Sequence, residues 1–193
     1  MKLVFATNNE HKLAEIRHAA SAHISIAGLQ EMGIQEEIPE TRETLEENAI
    51  EKAMYIYKKY HFTCFADDTG LEVNALDNRP GVHSARYAGP ACNFRDNIDK
   101  LIGEMEGVTN REACFRTVIA YVNAGKVSVF EGKIKGMITK EMRGNGGFGY
   151  DPVFEPDGYS QTFAEMPLEL KNSISHRALA LHKFLDFLDL PDK

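Results

Sequence analysis

Five short segments carry residues whose types and spacing suit chemistry. The first is "TNNEHK": Thr7, Asn8, Asn9, Glu10, His11 and Lys12. A loop entering a helix exposes backbone N–H groups at the positive end of the helix dipole, which suits an anion. Lys12, in the first turn, adds a point charge. The segment lacks the glycines of a P-loop. Taken alone, it reads more simply as an Asn-capped helix with a surface lysine. The second segment is "ADDTG", where Asp67, Asp68 and Thr69 follow an apolar run. Adjacent side chains on an extended chain point to opposite faces, so one acid can face a cleft while the other supports the loop. Carboxylates at a strand end are hard oxygen ligands for Mg²⁺ when a substrate brings phosphates. One of them can also serve as general base on a water. An Asp-rich turn is the plain alternative.

Glu40 follows Pro39 in "IPETRETLEENA", and a rigid loop can aim it at a metal. Glu43, Glu46 and Glu47 read instead as first-turn partners of a helix dipole. The stretch "GNGGFGYDP", 144–152, combines four glycines with Phe148, Tyr150 and Asp151. Glycine lets a ligand approach the backbone closely. Phe148 and Tyr150 share a face if the segment is extended, and Asp151 is an acceptor held before a proline. An aromatic face with an acceptor suits a nucleobase better than a phosphate, and no helix pattern follows to complete a phosphate cradle. A glycine-rich hairpin loop with a packed Phe is the alternative. In "LKNSISHRALA", Ser173 or Ser175 can cap a final helix, leaving His176 and Arg177 at its start. Lys171 and Arg177 present only hydrogen-bond donors; solvated charges on a capped helix account for each of them singly.

The elements that must position these residues are legible from periodicity. Residues 2–7 read as a buried strand, and Leu13, Ile16 and Ala20 recur at helical spacing after it. "HISIAG", 23–28, alternates as a second strand. A helix over 44–60 carries a capping pattern at Thr44 and Glu47 and an apolar stripe of Leu45, Ala49, Ala53 and Ile56. "FTCFADD" is a short strand running into the aspartates, and the following stretch to 89 is a hairpin or extended excursion. Asn93 caps a helix. Strands over 113–122 and 126–138 are joined by "NAGK", and the second has one wet face with Glu131, Lys133 and Lys135. Leu181, Phe184, Leu185 and Leu188 mark the last helix. The pattern indicates an α/β fold with a mixed sheet.

The 193 residues fit one large domain or a single fold with two lobes, and 43% apolar with 26% charged residues is ordinary for a globular chain. A net charge of −7 argues against general duplex or membrane-surface binding. Cys64, Cys92 and Cys114 form no CxxC pair, so a structural zinc site is not expected and a reducing compartment fits. No apolar run reaches membrane-spanning length, and the N-terminus has no cleavable apolar region, so a cytoplasmic protein is expected.

In order along nearly the whole chain stand "FATNNEHKLAEI", "PETRETLEENAIEKA", "ADDTGLEV", "PGVHSARYAG", "GGFGYDPVF" and "SISHRALAL". Together they resemble the inosine/xanthosine triphosphate pyrophosphatase family. The resemblance implies an elongated mixed sheet flanked by helices, two lobes with an active-site cleft between them, and one pyrophosphatase domain over 1–193. It implies hydrolysis of ITP, dITP and XTP to the monophosphate and pyrophosphate, with Mg²⁺, in a cytoplasmic homodimer that binds neither nucleic acid nor membrane. The family's triphosphate loop falls on Thr7, Asn8, Asn9, Glu10, His11 and Lys12. Its metal-binding glutamate falls on Glu40, and its catalytic, metal-binding acid on Asp68, with Thr69 where Ser is common. Whether Asp67 also helps to bind metal stays open. The base pocket falls on Phe148, Gly149, Tyr150, Asp151, Lys171, His176 and Arg177. Asn8 replaces a common glycine, which Asn can do because it tolerates left-handed backbone. A related pyrophosphatase for modified pyrimidine nucleotides and a non-enzymatic nucleotide sensor are the rival readings.

Overall fold

The first apolar run forms β1 (Lys2–Phe5), with Leu3, Val4 and Phe5 buried. In this computed structural model, which describes residues 2–20 and 24–189, helix α1 follows at Glu10–Ala19. Its cap is Asn9, whose Oδ1 accepts from the N–H groups of His11 and Lys12. His23 of the expected second strand lies outside the described residues; β2 occupies Ser25–Gly28 and pairs parallel with β1. Helix α2 (Leu45–Tyr60) starts at Thr44, whose hydroxyl accepts from the Glu47 N–H at 3.1 Å. Its buried stripe contains the expected Leu45, Ala49, Ala53 and Ile56.

Strand β3 (Cys64–Val73) differs from expectation. It does not end at the aspartates but runs through them, because Leu71 and Val73 continue into buried positions. Its far half gains an antiparallel partner, β4 (Arg79–Gly81), with Leu71 opposite Gly81. Asp67 and Asp68 therefore sit mid-strand, where a pleated ladder fixes their opposite directions. Asn93 caps α3 (Phe94–Glu104) through bonds from the Arg95 and Asp96 N–H groups. Strands β5 (Glu112–Asn123) and β6 (Lys126–Ile138) are joined where Ala124 and Gly125 both have positive φ, the backbone of a tight hairpin turn. Lys133 and Lys135 of β6 are exposed, as its alternation predicts. The chain ends with β7 (Phe154–Pro156), α4 (Leu168–Ile174) and α5 (His176–Leu188).

The sheet is mixed, in the order β2-β1-β3-β5-β6-β7, with β4 off this path on β3. Chain contacts divide it into two compact units. The first comprises Met1–Asp68, Thr117–Gly132 and Arg177–Lys193; its core includes Phe5, Ile16, Phe65, Ile119 and Phe184. The second comprises Thr69–Arg116 and Lys133–His176; its core includes Leu71, Ile98, Leu101, Phe115, Phe154 and Phe163. In the second unit Arg111 is a buried clamp. Its guanidinium donates to the carbonyls of Met105, Ile138 and Thr139 at 3.0, 2.6 and 2.8 Å, tying the end of α3 to the end of β6. No helix among the described residues is long and apolar enough to cross a membrane.

Candidate active site

In the first unit, the two strand acids take different partners. Asp67 is fully enclosed and binds Lys12 Nζ at 2.9 Å and Arg177 Nε at 3.3 Å. Arg177, at the start of α5, also donates to Glu15 of α1. Burial opposes ionisation of Asp67, but Lys12 and Arg177 outweigh it and hold the carboxyl well below the usual range. Asp68 binds Lys52 Nζ through Oδ1 at 3.1 Å, and the same ammonium reaches Glu40 Oε1 at 2.6 Å. Burial pushes the Asp68 carboxyl up, against the pull of Lys52 and Lys12. Its Oδ2 is buried and accepts no hydrogen bond among the described residues. An ionised oxygen left so is costly, and the cost falls when a cation or a proton reaches it.

The loop carrying Glu40 is fixed from α2. Asn48 Oδ1 accepts from the Arg42 N–H at 2.9 Å, and Glu51 accepts from the Thr41 N–H at 3.1 Å. Among the described residues, no group of three or more His, Cys, Asp or Glu is arranged around a metal position. Two carboxylates alone suit an ion that draws its remaining ligands from substrate phosphates and water, the habit of Mg²⁺. The lone Asp68 Oδ2 fits such an ion.

In the second unit, "GNGGFGYDP" is a turn and not an extended segment, so Phe148 and Tyr150 do not share a face. Gly147 and Gly149 have positive φ. Phe148 is half-buried, with Lys171 Nζ 5.0 Å from its ring centroid. Tyr150 is buried in the core, and its hydroxyl donates to the Ser84 carbonyl at 2.9 Å. Asp151 Oδ2 accepts from Lys171 Nζ at 2.6 Å and from the Phe148 N–H at 2.7 Å. A Cβ on Gly147 would lie 2.0 Å from that oxygen, so this glycine makes room for the chain's own carboxylate. His176 is buried with its ring stacked on Phe115, centroids 4.5 Å apart and planes 11° apart.

The model of the Ham1 family matches residues 3–187. The chain belongs to the Ham1 family. A dITP/XTP pyrophosphatase of Porphyromonas gingivalis is 57% identical over 188 residues, covering 97% of each chain. One of Flavobacterium johnsoniae is 50% identical, covering 97% of this chain and 98% of its own. Among solved structures, the Ham1 protein of Staphylococcus aureus superimposes with a TM-score of 0.89 at 36% identity, covering 98% of each chain.

Within this Ham1 fold, the residues singled out from sequence fall into two groups. Lys12, Glu40, Asp67, Asp68 and Arg177 lie in the first unit, with Thr7, Asn8, Asn9, Glu10 and His11 on the loop into α1. Thr69, Phe148, Gly149, Tyr150, Asp151, Lys171 and His176 lie in the second. Arg177 takes part in the charge network of the first unit through Asp67 and Glu15. The described residues with positive φ do not include Asn8, so that position makes no use of left-handed tolerance. The final helix starts at His176, directly after Ser175; Ser173 is inside α4 and donates to the Leu170 carbonyl. Lys52 and Glu15 went unrecognised. The signal for Lys52 was available: it stands seven residues after Leu45, on the buried stripe of α2, where a lysine requires partners. Glu15 carries no comparable mark.

Proposed function

We infer that this chain is a nucleoside triphosphate pyrophosphatase that hydrolyses non-canonical purine nucleotides, ITP, dITP and XTP, to monophosphate and pyrophosphate, clearing them from the nucleotide pool. The observation that carries the mechanism is the asymmetry of the acid pair. Asp67 is consumed by Lys12 and Arg177, whereas Asp68 keeps one buried oxygen without a hydrogen bond.

In this reading Asp68 is the catalytic acid. Its Oδ1 is fixed by Lys52, which leaves Oδ2 to take a proton from a water. The water oxygen attacks the α-phosphorus, the bond from that phosphorus to the α–β bridging oxygen breaks, and pyrophosphate leaves. Thr7 to His11 and Lys12 hold the phosphates, with Thr69 beside Asp68 supplying a hydroxyl. Glu40 and Asp68 hold Mg²⁺, which supplies charge neutralisation to the phosphate oxygens. The base is taken by Phe148, Gly149, Tyr150, Asp151, Lys171, His176 and Arg177. Phe148 is the stacking face, while Tyr150 and His176 are buried in the core of the same unit's fold. Hypoxanthine and xanthine have an acceptor oxygen at position 6 where adenine has an amino donor. Lys171 and Arg177 only donate, so adenine leaves donors facing a donor, a mismatch worth ~10⁴-fold or more in discrimination. The chain is read as a single pyrophosphatase domain working in the cytoplasm as a homodimer, a reading that rests on the family resemblance.

Pyrophosphate release across ITP, dITP, XTP, GTP, ATP and a modified pyrimidine triphosphate tests this. Release from the inosine and xanthosine nucleotides, with little from ATP, is expected with Mg²⁺ and lost with chelator. Equal rates on ATP and ITP would overturn the donor-only base pocket, and a preference for the pyrimidine would overturn the substrate class.

A further inference from the structure

We propose that Phe94 is a positioning residue for base binding: it braces the Phe148 ring and forms, with it, an aromatic corner that receives the purine. This rests on the reading of Phe148 as the stacking face. Phe94 is the first residue of α3, and 39% of it is exposed. Helical spacing puts Phe94 on the apolar face of α3 with Ile98, yet Ile98 is buried while the Phe94 ring is partly exposed, and the turn is already capped by Asn93. An exposed phenyl ring leaves apolar area in water, a cost that contact with a flat ligand removes. Its ring centroid is 6.1 Å from that of Phe148, with 47° between the planes. Both residues lie in the second unit, so the pairing needs nothing from the first.

The backbone around Phe148 explains why a brace matters. Gly147 and Gly149, on either side, have φ of +70° and +60°. Neither neighbour has a Cβ to limit the ring's movement. The Phe148 N–H is tied to Asp151, but that bond fixes the main chain and not the ring. The ring itself is held by the Lys171 ammonium, 5.0 Å from its centroid, and by Phe94. A 47° tilt makes a corner rather than one wide platform. A base stacked parallel on Phe148 therefore meets the Phe94 ring at the same 47°, a tilted aromatic contact.

Phe94→Ala, Phe94→Tyr and Phe148→Ala separate the possibilities. Phe94→Ala is expected to raise KM for ITP about three- to tenfold, the worth of an aromatic pair, with kcat within about twofold of wild type. Phe94→Tyr keeps the ring and restores KM. Inorganic tripolyphosphate, which has no base, should inhibit the Phe94→Ala variant and the wild type with the same Ki. An unchanged KM for Phe94→Ala alongside a raised KM for Phe148→Ala would overturn the brace and leave the base slot standing. Unchanged KM in both would overturn the base slot itself. A Ki for tripolyphosphate that rises with KM, or a fall in kcat and Tm without a KM change, would reduce Phe94 to a structural residue and end the proposal.

Discussion

The two units bury polarity in opposite ways. The first packs a chain of charges, Glu15, Arg177, Asp67 and Lys12 on one side of β3, and Asp68, Lys52 and Glu40 on the other. Both units pack rings, the first around Phe65 and Phe184, but the second sets its enclosed ion pair, Lys171 with Asp151, among them: Lys171 lies over the Phe148 ring, Phe94 packs on Phe148, and Phe115 stacks on His176. Fixed charges at short range can stabilise developing charge, as an attack on phosphorus requires. Rings and a few fixed donors select a flat ligand by stacking and hydrogen-bond polarity. On the proposed reading, rate would rest mainly on the acids and lysines of the first unit and selection mainly on Phe148, Asp151 and Lys171 of the second, with Arg177 serving the base from the first.

The sharpest break is Asp68→Asn. It keeps the shape and removes the proton acceptor, so pyrophosphate release should fall about 10²- to 10⁴-fold, with KM little changed. Turnover near wild type would remove Asp68 from its assigned role. Asp67→Asn gives the control: it weakens the grip on Lys12 and Arg177 but leaves Asp68 Oδ2 as it is.

Next come the two buried lysines. Lys52→Met and Lys171→Met each leave a buried carboxylate without its cation, a loss of about 3–5 kcal/mol. For a chain of this size that lowers Tm by roughly 6–20 °C in thermal unfolding. The stability losses should be alike and the kinetic losses unlike. Lys52→Met should depress kcat, and Lys171→Met should raise KM for ITP. The same kinetic signature from both would erase the distinction between the units.

Phe148→Ala should raise KM about five- to hundredfold, since stacking on an aromatic side chain is worth about 1–3 kcal/mol per base. Steady-state kinetics with ITP measure it.

The smallest effect concerns Glu36, outside both groups. Bonds from Lys59, Tyr60 and Tyr55 outweigh burial and hold its carboxyl at about 2. A depressed folded-state pKa gives stability that is complete above the unfolded value and is lost as pH falls through the folded one. The Tm gap between wild type and Glu36→Gln should be constant above about pH 4.5 and close toward pH 2. A gap that widens with acid would contradict the assignment.

Much of the fold was legible because it depends on local pattern. The α2 stripe, the Thr44 and Asn93 caps and the "NAGK" hairpin turn were each written within a few neighbouring residues. The end of β3 was not, because the strand continues past the acids by pairing with β4, and pairing is a property of two segments. The shape of "GNGGFGYDP" stayed open between an extended run and a glycine-rich loop for a similar reason. Phe148 and Tyr150 would share a face only in an extended run, whereas Gly147 and Gly149 at positive φ turn the chain and Tyr150 is buried in the core.

The sequence by itself determined the chemistry on offer: six family blocks, an acid pair, a loop lysine, a donor-only pair and an aromatic beside glycines. Periodicity and residue type are local, and chemistry follows residue type. Only the tertiary structure decided how the charges are shared out. Lys12 is 55 residues from Asp67, and Arg177 is 110. Lys52 reaches Asp68 across 16. No local pattern encodes such pairings; they arise where packing excludes water and each buried charge must find its opposite. That sorting leaves Asp67 committed and one oxygen of Asp68 in reserve.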